Sequence, residues 1–247
     1  MARDLEWEGC FNVRDLGGLA TRDGGRTRRG ELVRADGLSR LTKSGWTSVE
    51  EHGIRTVLDL RNDDELEADR VARPGNLTTV RVAIDDIDDR ELWDHIRSNE
   101  LDGSPLYFRL FLERKPHQCA AALTAIAHAR PGGVVFHCGR GRDRTGLVAL
   151  LVLARVGVTP QDIASDYEMS TERVRRIDAV VGEKDQGSQI ADILRRKKTS
   201  ARALIFDLLE SVDIEERLRT GGFGPEDFTA LRRRFVDSGG RSPDARS

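Results

Sequence analysis

The chain has 247 residues, a net charge of −2, 38% hydrophobic and 33% charged residues. That size suits one domain with an ordinary core, and the balanced charge gives no ground for binding nucleic acid or a membrane surface. No stretch is long and apolar enough to span a membrane, and Cys10, Cys119 and Cys138 do not make a disulfide framework.

Near the start stands Asn12-Val13-Arg14-Asp15-Leu16-Gly17-Gly18, in which Arg14 and Asp15 read as an ion pair pinning a loop. A polar turn over 21–30 leads to a short strand, Leu32 to Ala35. Thr42 is a helix cap before Lys43 to Glu51, and Gly53 is the stop. Thr56 to Leu60 reads as a buried strand. Arg61 follows at its carboxyl end, where open α/β sheets place ligands, so it supports the site or touches substrate. Residues 62–71 read as an acidic helix with a solvated face. A strand over 77–84 runs into Asp85-Asp86-Ile87-Asp88-Asp89. Residues 89–113 are loosely apolar, and a lid is expected over about 88–115. Gln118 to Ala129 is an alanine-rich helix with Cys119 in the core.

Val134-Val135-Phe136-His137 is then a buried strand, and Leu147 to Leu153 a buried helix. After Gly157, Thr159-Pro160 opens a helix over 161–167, followed by a polar turn and helices over 171–181 and 188–198. A second lid is expected over about 169–200. Amphipathic helices over 200–218 and 225–236 close the chain, and 239–247 reads as a disordered tail.

Between the buried strand and helix lies Cys138-Gly139-Arg140-Gly141-Arg142-Asp143-Arg144-Thr145-Gly146. A helix N-terminus holds unpaired N–H groups and partial positive charge, and so binds anions. A thiol attacks only as thiolate, and such a site beside an arginine favours that form. Arg144 offers a planar fork for two phosphate oxygens. Thr145 can hydrogen-bond the sulfur and help it leave. A dinucleotide loop would need a third glycine where Arg144 stands, and a nucleotide-phosphate loop would need a lysine. Adjacent His137 and Cys138 are poor zinc ligands. A sulfurtransferase would not need Arg144.

His137-Cys138 with Arg144-Thr145-Gly146 resembles the phosphate loop of the cysteine-based protein tyrosine phosphatases. With the motif at Asn12 to Gly18 and Asp59-Leu60-Arg61, the chain resembles the bacterial secreted family of the mycobacterial PtpB type. The resemblance implies one α/β phosphatase domain over 1–238. Its central sheet of four or five strands would be mixed and mostly parallel, with flanking helices and a helical C-terminal half. It implies hydrolysis of phosphotyrosine, and of phosphoserine or phosphothreonine, through a phosphocysteine. A phosphoinositide phosphatase and an inactive phosphate-binding scaffold are the alternatives. Gly139, Arg140, Gly141, Arg142, Asp143 and Arg144 would hold phosphate. Arg14, Asp15, Arg61 and Asp85 would support the site or substrate. The leaving oxygen needs a proton donor; the resemblance points to Asp86 first and Asp85 next, with Asp143 the competitor inside the loop. Broad-specificity members carry Gly-Lys-Asp-Arg where this chain has Gly141-Arg142-Asp143-Arg144. No metal or cofactor is required. The start lacks a signal-like apolar run, so the expected location is cytoplasmic, or exported without a recognisable signal.

Overall fold

The computed structural model describes residues 3–66, 71–85 and 87–237. The expected tail over 239–247 and the candidate acid Asp86 lie outside the described residues.

Seven strands form: Arg14–Asp15 (β1), Arg26–Thr27 (β2), Leu32–Ala35 (β3), Ile54–Asp59 (β4), Thr78–Arg81 (β5), Gly133–His137 (β6) and Val236–Asp237 (β7), counted among the described residues. Five make one sheet in the order β1-β3-β6-β4-β5, and β2 pairs with β7 in a separate ribbon. Only the β1–β3 pair of the large sheet is antiparallel. The mixed, mostly parallel sheet is thus as expected.

Side chains alternate across a strand, and here the alternation divides two cores. Val134 and Phe136 of β6 face the larger core, and Val135 the smaller. In β4, Ile54 and Val57 share the smaller core although they are three apart. The register slips between Ile54 and Thr56, and a bulge of this kind absorbs the extra residue.

The helices are Lys43–Glu51 (α1), Arg90–Ser98 (α2), Phe108–Arg114 (α3), Pro116–Ala127 (α4), Arg144–Arg155 (α5), Pro160–Val181 (α6), Gln186–Arg196 (α7), Ala201–Ser211 (α8), Ile214–Thr220 (α9) and Pro225–Phe235 (α10). α1 covers the smaller core with Trp46 and Val49, while α4 and α5 cover the larger. Thr42 caps α1 as expected, its hydroxyl accepting from the Gly45 amide.

Three expectations are corrected. α6 runs unbroken through Glu168 to Thr171, and stops only where Gly182 turns left-handed at φ +73°. The predicted polar turn holds no glycine or proline to break a helix. The helix expected over 200–218 breaks at Val212, and the Asp213 carboxylate restarts it by accepting from the Glu216 amide. In the expected acidic helix over 62–71, Asp63–Glu65 is a single 3₁₀ turn. In the segment expected as a lid over 88–115, Leu92, Ile96, Phe108, Phe111 and Leu112 sit in the larger core. α7 buries only Gly187 among its residues.

Phe136 is fully buried at the centre of the sheet. Phe136→Ala is expected to cost about 3–5 kcal/mol, read from urea unfolding, and a loss under about 1 kcal/mol would contradict its place in the core.

Candidate active site

Cys138 follows the last residue of β6, and α5 begins at Arg144, so the loop lies between a strand end and a helix start. The Cys138 side chain is 3% exposed. The Thr145 hydroxyl donates to its Sγ at 3.2 Å. Gly141 sits at φ +68°, and a Cβ there would lie 2.4 Å from the Ala35 carbonyl oxygen. Only glycine meets both demands. Just below, His137 is buried, with Nδ1 3.2 Å from the Cys138 carbonyl. Burial pushes the imidazole down to about 4, so it is neutral at physiological pH.

Arg144 is held from outside the loop. The Glu65 carboxylate accepts from Nη1 and, at 2.6 Å, from Nη2. Asp85 Oδ2 lies 3.0 Å from Nη1. Glu65 is itself fixed by the Asn62 backbone amide at 3.0 Å and side chain at 3.1 Å. Trp93 Nε1 donates to the Asp85 carbonyl at 3.2 Å, and Asn62 Nδ2 to its carboxylate at 3.3 Å. Burial dominates at Asp85 and, with Glu65 and Asp143 nearby, lifts its carboxyl to about 6 against the pull of Arg144. At Glu65 burial is outweighed by Arg144, and the carboxyl lies below its usual range.

Other candidates take different places. Arg142 is 3% exposed and turned onto Asp143 at 3.0 and 3.3 Å, and the Tyr167 hydroxyl also hydrogen-bonds Asp143. Arg140 Nε reaches Asp178 at 2.7 Å, and its Nη2 reaches Glu183. Arg61 grips Asp59 at 2.9 and 2.7 Å. Burial opposes the charge on Asp59, but Arg61 and the nearby His137 outweigh it and hold the carboxyl at about 2.

The expected Arg14–Asp15 ion pair is replaced by separate roles. The two residues are neighbours on β1, and neighbours on a strand face opposite ways. Asp15 accepts from the amides of Gly17 at 2.7 Å and Gly30 at 2.9 Å. Arg14 is fully buried and donates to Asp166 at 2.8 and 3.1 Å, Asn12 Oδ1 at 2.8 Å and Ser170 at 3.1 Å. Burial and neighbouring Arg34 pull its guanidinium down to about 9. Arg34 meets the same Asp166 at 2.6 Å, and Arg3 pairs with it as well. Burial opposes the Asp166 charge, but these arginines hold its carboxyl far below the usual range.

A cleft of about 520 Å³ opens beside the loop, lined by Gly37, Arg40, Arg61, Glu65, Gly139 and Arg140, with Ile177 and Val181 on its α6 side. Loop, thiol and arginine define the class: a phosphoric monoester hydrolase with a cysteine at its centre. The chain belongs to the tyrosine phosphatase family, whose sequence model matches residues 5–237, and it is a protein tyrosine phosphatase. It is 29% identical over 231 residues to the triple specificity protein phosphatase PtpB of Mycobacterium tuberculosis, covering 82% of each chain. It is 26% identical over 210 residues to a Cupriavidus necator protein named among the tyrosine-protein phosphatases, covering 83% of this chain and 76% of that one. The crystal structure of P. aeruginosa TpbA with phosphotyrosine superposes at a TM-score of 0.38 and 16% identity, over 81% of this chain and 91% of that one.

The structure therefore brings Cys138, Arg144, Thr145 and Asp85 together. Glu65, whose charge the sequence alone reads as solvated, joins them through Arg144. The signal was there in the spacing Asn62-x-x-Glu65, a capping-box pattern that turns the glutamate back toward the chain.

Cys10 and Cys119 are buried, and burial pushes both thiols up, Cys119 to about 12. Brief iodoacetamide treatment at neutral pH should therefore label Cys138 alone, and inorganic phosphate should protect it. Mass spectrometry reads the site; first labelling at Cys10 would refute this order of reactivity.

Proposed function

We propose that the enzyme hydrolyses phosphotyrosine in proteins through a phosphocysteine, with Cys138 as nucleophile and Asp85 as general acid. The observation that carries this reading is the convergence of the Thr145-bonded Cys138 sulfur, Arg144 and a carboxyl that titrates at about 6. Phosphate enters the loop against its N–H groups and the unoccupied edge of Arg144. The Cys138 thiolate attacks phosphorus, the P–O bond to the leaving group breaks, and Asp85 gives that oxygen its proton. Asp85, now a carboxylate, then takes a proton from water as the water attacks phosphorus. The P–S bond breaks and the sulfur leaves as thiolate, eased by the Thr145 hydroxyl. Arg144 and the loop amides carry the charge of both transition states.

Asp143 is the weaker acid candidate, because its oxygens already accept from Arg142 and Tyr167. The burial of Arg142 against Asp143 also takes from the cleft the charge that an inositol headgroup would use. The apolar Ile177 and Val181 suit a tyrosine ring. The relative named for triple specificity leaves phosphoserine and phosphothreonine within reach of the same chemistry. Within 169–200 the lid is assigned to α7, which buries only Gly187, and 1–238 is assigned to one catalytic domain.

Cys138→Ser should abolish turnover of p-nitrophenyl phosphate and phosphotyrosine peptides while phosphate still binds; turnover in that variant would remove the nucleophile. Asp85→Asn should slow phosphotyrosine hydrolysis by about 100-fold or more, and that of the better leaving group p-nitrophenol far less. Equal losses on the two substrates would move the acid elsewhere, Asp86 included.

The pH dependence has a definite sign. Asp85 donates only when protonated, so kcat/KM for a phosphotyrosine peptide should fall as pH rises through about 6. A bound phosphate dianion disfavours ionisation of a neighbouring carboxyl. The corresponding limb of kcat should therefore lie at higher pH, and both limbs should vanish in Asp85→Asn. Profiles of the two enzymes that coincide in shape would contradict the assignment.

A further inference from the structure

Three consecutive carbonyls of the phosphate loop are held by groups outside it. Gly37 N–H donates to the Gly139 carbonyl at 2.9 Å. Asn12 Nδ2 donates to the Arg140 carbonyl at 3.0 Å and to that of Gly141 at 3.1 Å. Arg34 Nη2 donates to the Gly141 carbonyl at 2.7 Å. In a planar trans peptide the C=O of one residue and the N–H of the next point opposite ways. Fixing these carbonyls toward Asn12, Arg34 and Gly37 therefore turns the amides of Arg140, Gly141 and Arg142 the other way, into the cup of the loop. None of those three amides has an acceptor among the described residues.

The donors that do this are themselves immobilised. Arg14 Nη1 donates to Asn12 Oδ1, which leaves the Asn12 amide nitrogen to face the loop. The Asn12 backbone N–H is tied to Asp36 at 2.8 Å. Arg14 and Arg34 are both anchored on Asp166 and Ser170 of α6. We infer that Asn12, Arg14, Arg34 and Asp166 are positioning residues for the reaction: through the loop's outer carbonyls they aim its amides at the phosphate. The inference rests on the phosphate site proposed above but assigns these residues no contact with substrate. It makes the loop a preorganised set of donors, set before the ligand arrives.

A backbone-amide NMR titration of the full-length protein with inorganic phosphate tests this. The Arg140, Gly141 and Arg142 amide protons should move downfield together on saturation. If they stay still, the amides do not face the ligand and the inference falls; this arm needs no variant. In Asn12→Ala the Arg140 carbonyl loses its holder, while Gly37 still holds Gly139 and Arg34 still holds Gly141. The Gly141 amide should then lose most of its shift, Arg142 less, and Arg140 least. The inhibition constant for phosphate should rise, and kcat/KM fall, by about 10-fold or more. A merely structural Asn12 would lower the melting temperature and leave the folded protein's shifts and phosphate affinity unchanged, and that result would overturn the inference. If the wild-type amides shift on phosphate but no phosphomonoester is turned over, the proposed function fails and the positioning role stands.

Discussion

Arg14 and Arg34 stand directly opposite each other on adjacent strands, both buried. Like charges so paired repel, and each guanidinium has given up its water. The arrangement is tenable only because Asp166 reaches in from α6 with both carboxylate oxygens engaged, and Ser170 adds a hydroxyl one turn on. Removing one partner of a buried charge cluster costs about 3–5 kcal/mol, against a total stability of about 5–15 kcal/mol for a typical domain. α6 is thus locked to the sheet by charge as well as by the apolar contacts of Ile163 and Tyr167. The cluster also carries an excess of positive charge, since Arg3, Arg14 and Arg34 share one aspartate. That excess lies beneath the loop, where on the proposed function it would lower the energy of a bound dianion without touching it.

The carboxylates around Arg144 present an apparent conflict, because they compete for the group that should hold phosphate. The geometry of the guanidinium resolves it. Its five N–H groups lie in a fixed plane. Glu65 takes one from Nη1 and one from Nη2, while Asp85 Oδ2 stands 3.0 Å from Nη1 as an ion-pair partner. Among the described residues the Nε–H and the second Nη2–H have no acceptor, and these lie side by side on one edge. Two carboxylates therefore orient the fork and leave a bidentate edge for the ligand. On the proposed function they would also set the acid: two carboxylates and a dianion cannot all stay ionised around one arginine, and burial lifts Asp85, not Glu65, to about 6.

The parts of this site that are local in the chain could be read from it. The β-branched run ending at His137, the glycines of the loop and the apolar run from Leu147 make a strand, an anion loop and a helix in any context, and they form here. Caps at Thr42 and Thr159 were legible for the same reason. What could not be read is set by contacts between distant residues. Arg34 and Asp166 are 132 residues apart, and Arg144 and Glu65 are 79 apart. Nothing beside Asp85 in sequence says that it is buried against Arg144 and tied to Trp93; the chain offers four aspartates within five residues and no local means to choose. The Arg14–Asp15 pair failed for a simpler reason. Adjacency suggests an ion pair, but a strand turns neighbours to opposite faces, and only the antiparallel pairing with β3 decides that this segment is a strand.

One helix joins the support of the loop to its substrate side. The inner part of α6 carries Asp166 and Ser170, which anchor the arginines that hold the loop's carbonyls. Three turns further on, Asp178 takes the Arg140 side chain and accepts from the Gln186 amide at the start of α7. Ile177 and Val181, on the same stretch, line the cleft. Arg140 is consequently held twice, its carbonyl by Asn12 and its guanidinium by Asp178, and its backbone has little freedom between the two. On the proposed function a loop fixed in this way would not reorganise for phosphate, and the interaction energy would go into the charged transition state and not into ordering the loop. The same fixation gives α6 a second consequence. A displacement of its outer turns would move the apolar wall of the cleft and pull on Arg140 together, so the fit of the substrate's ring and the aim of the loop's donors are mechanically one variable.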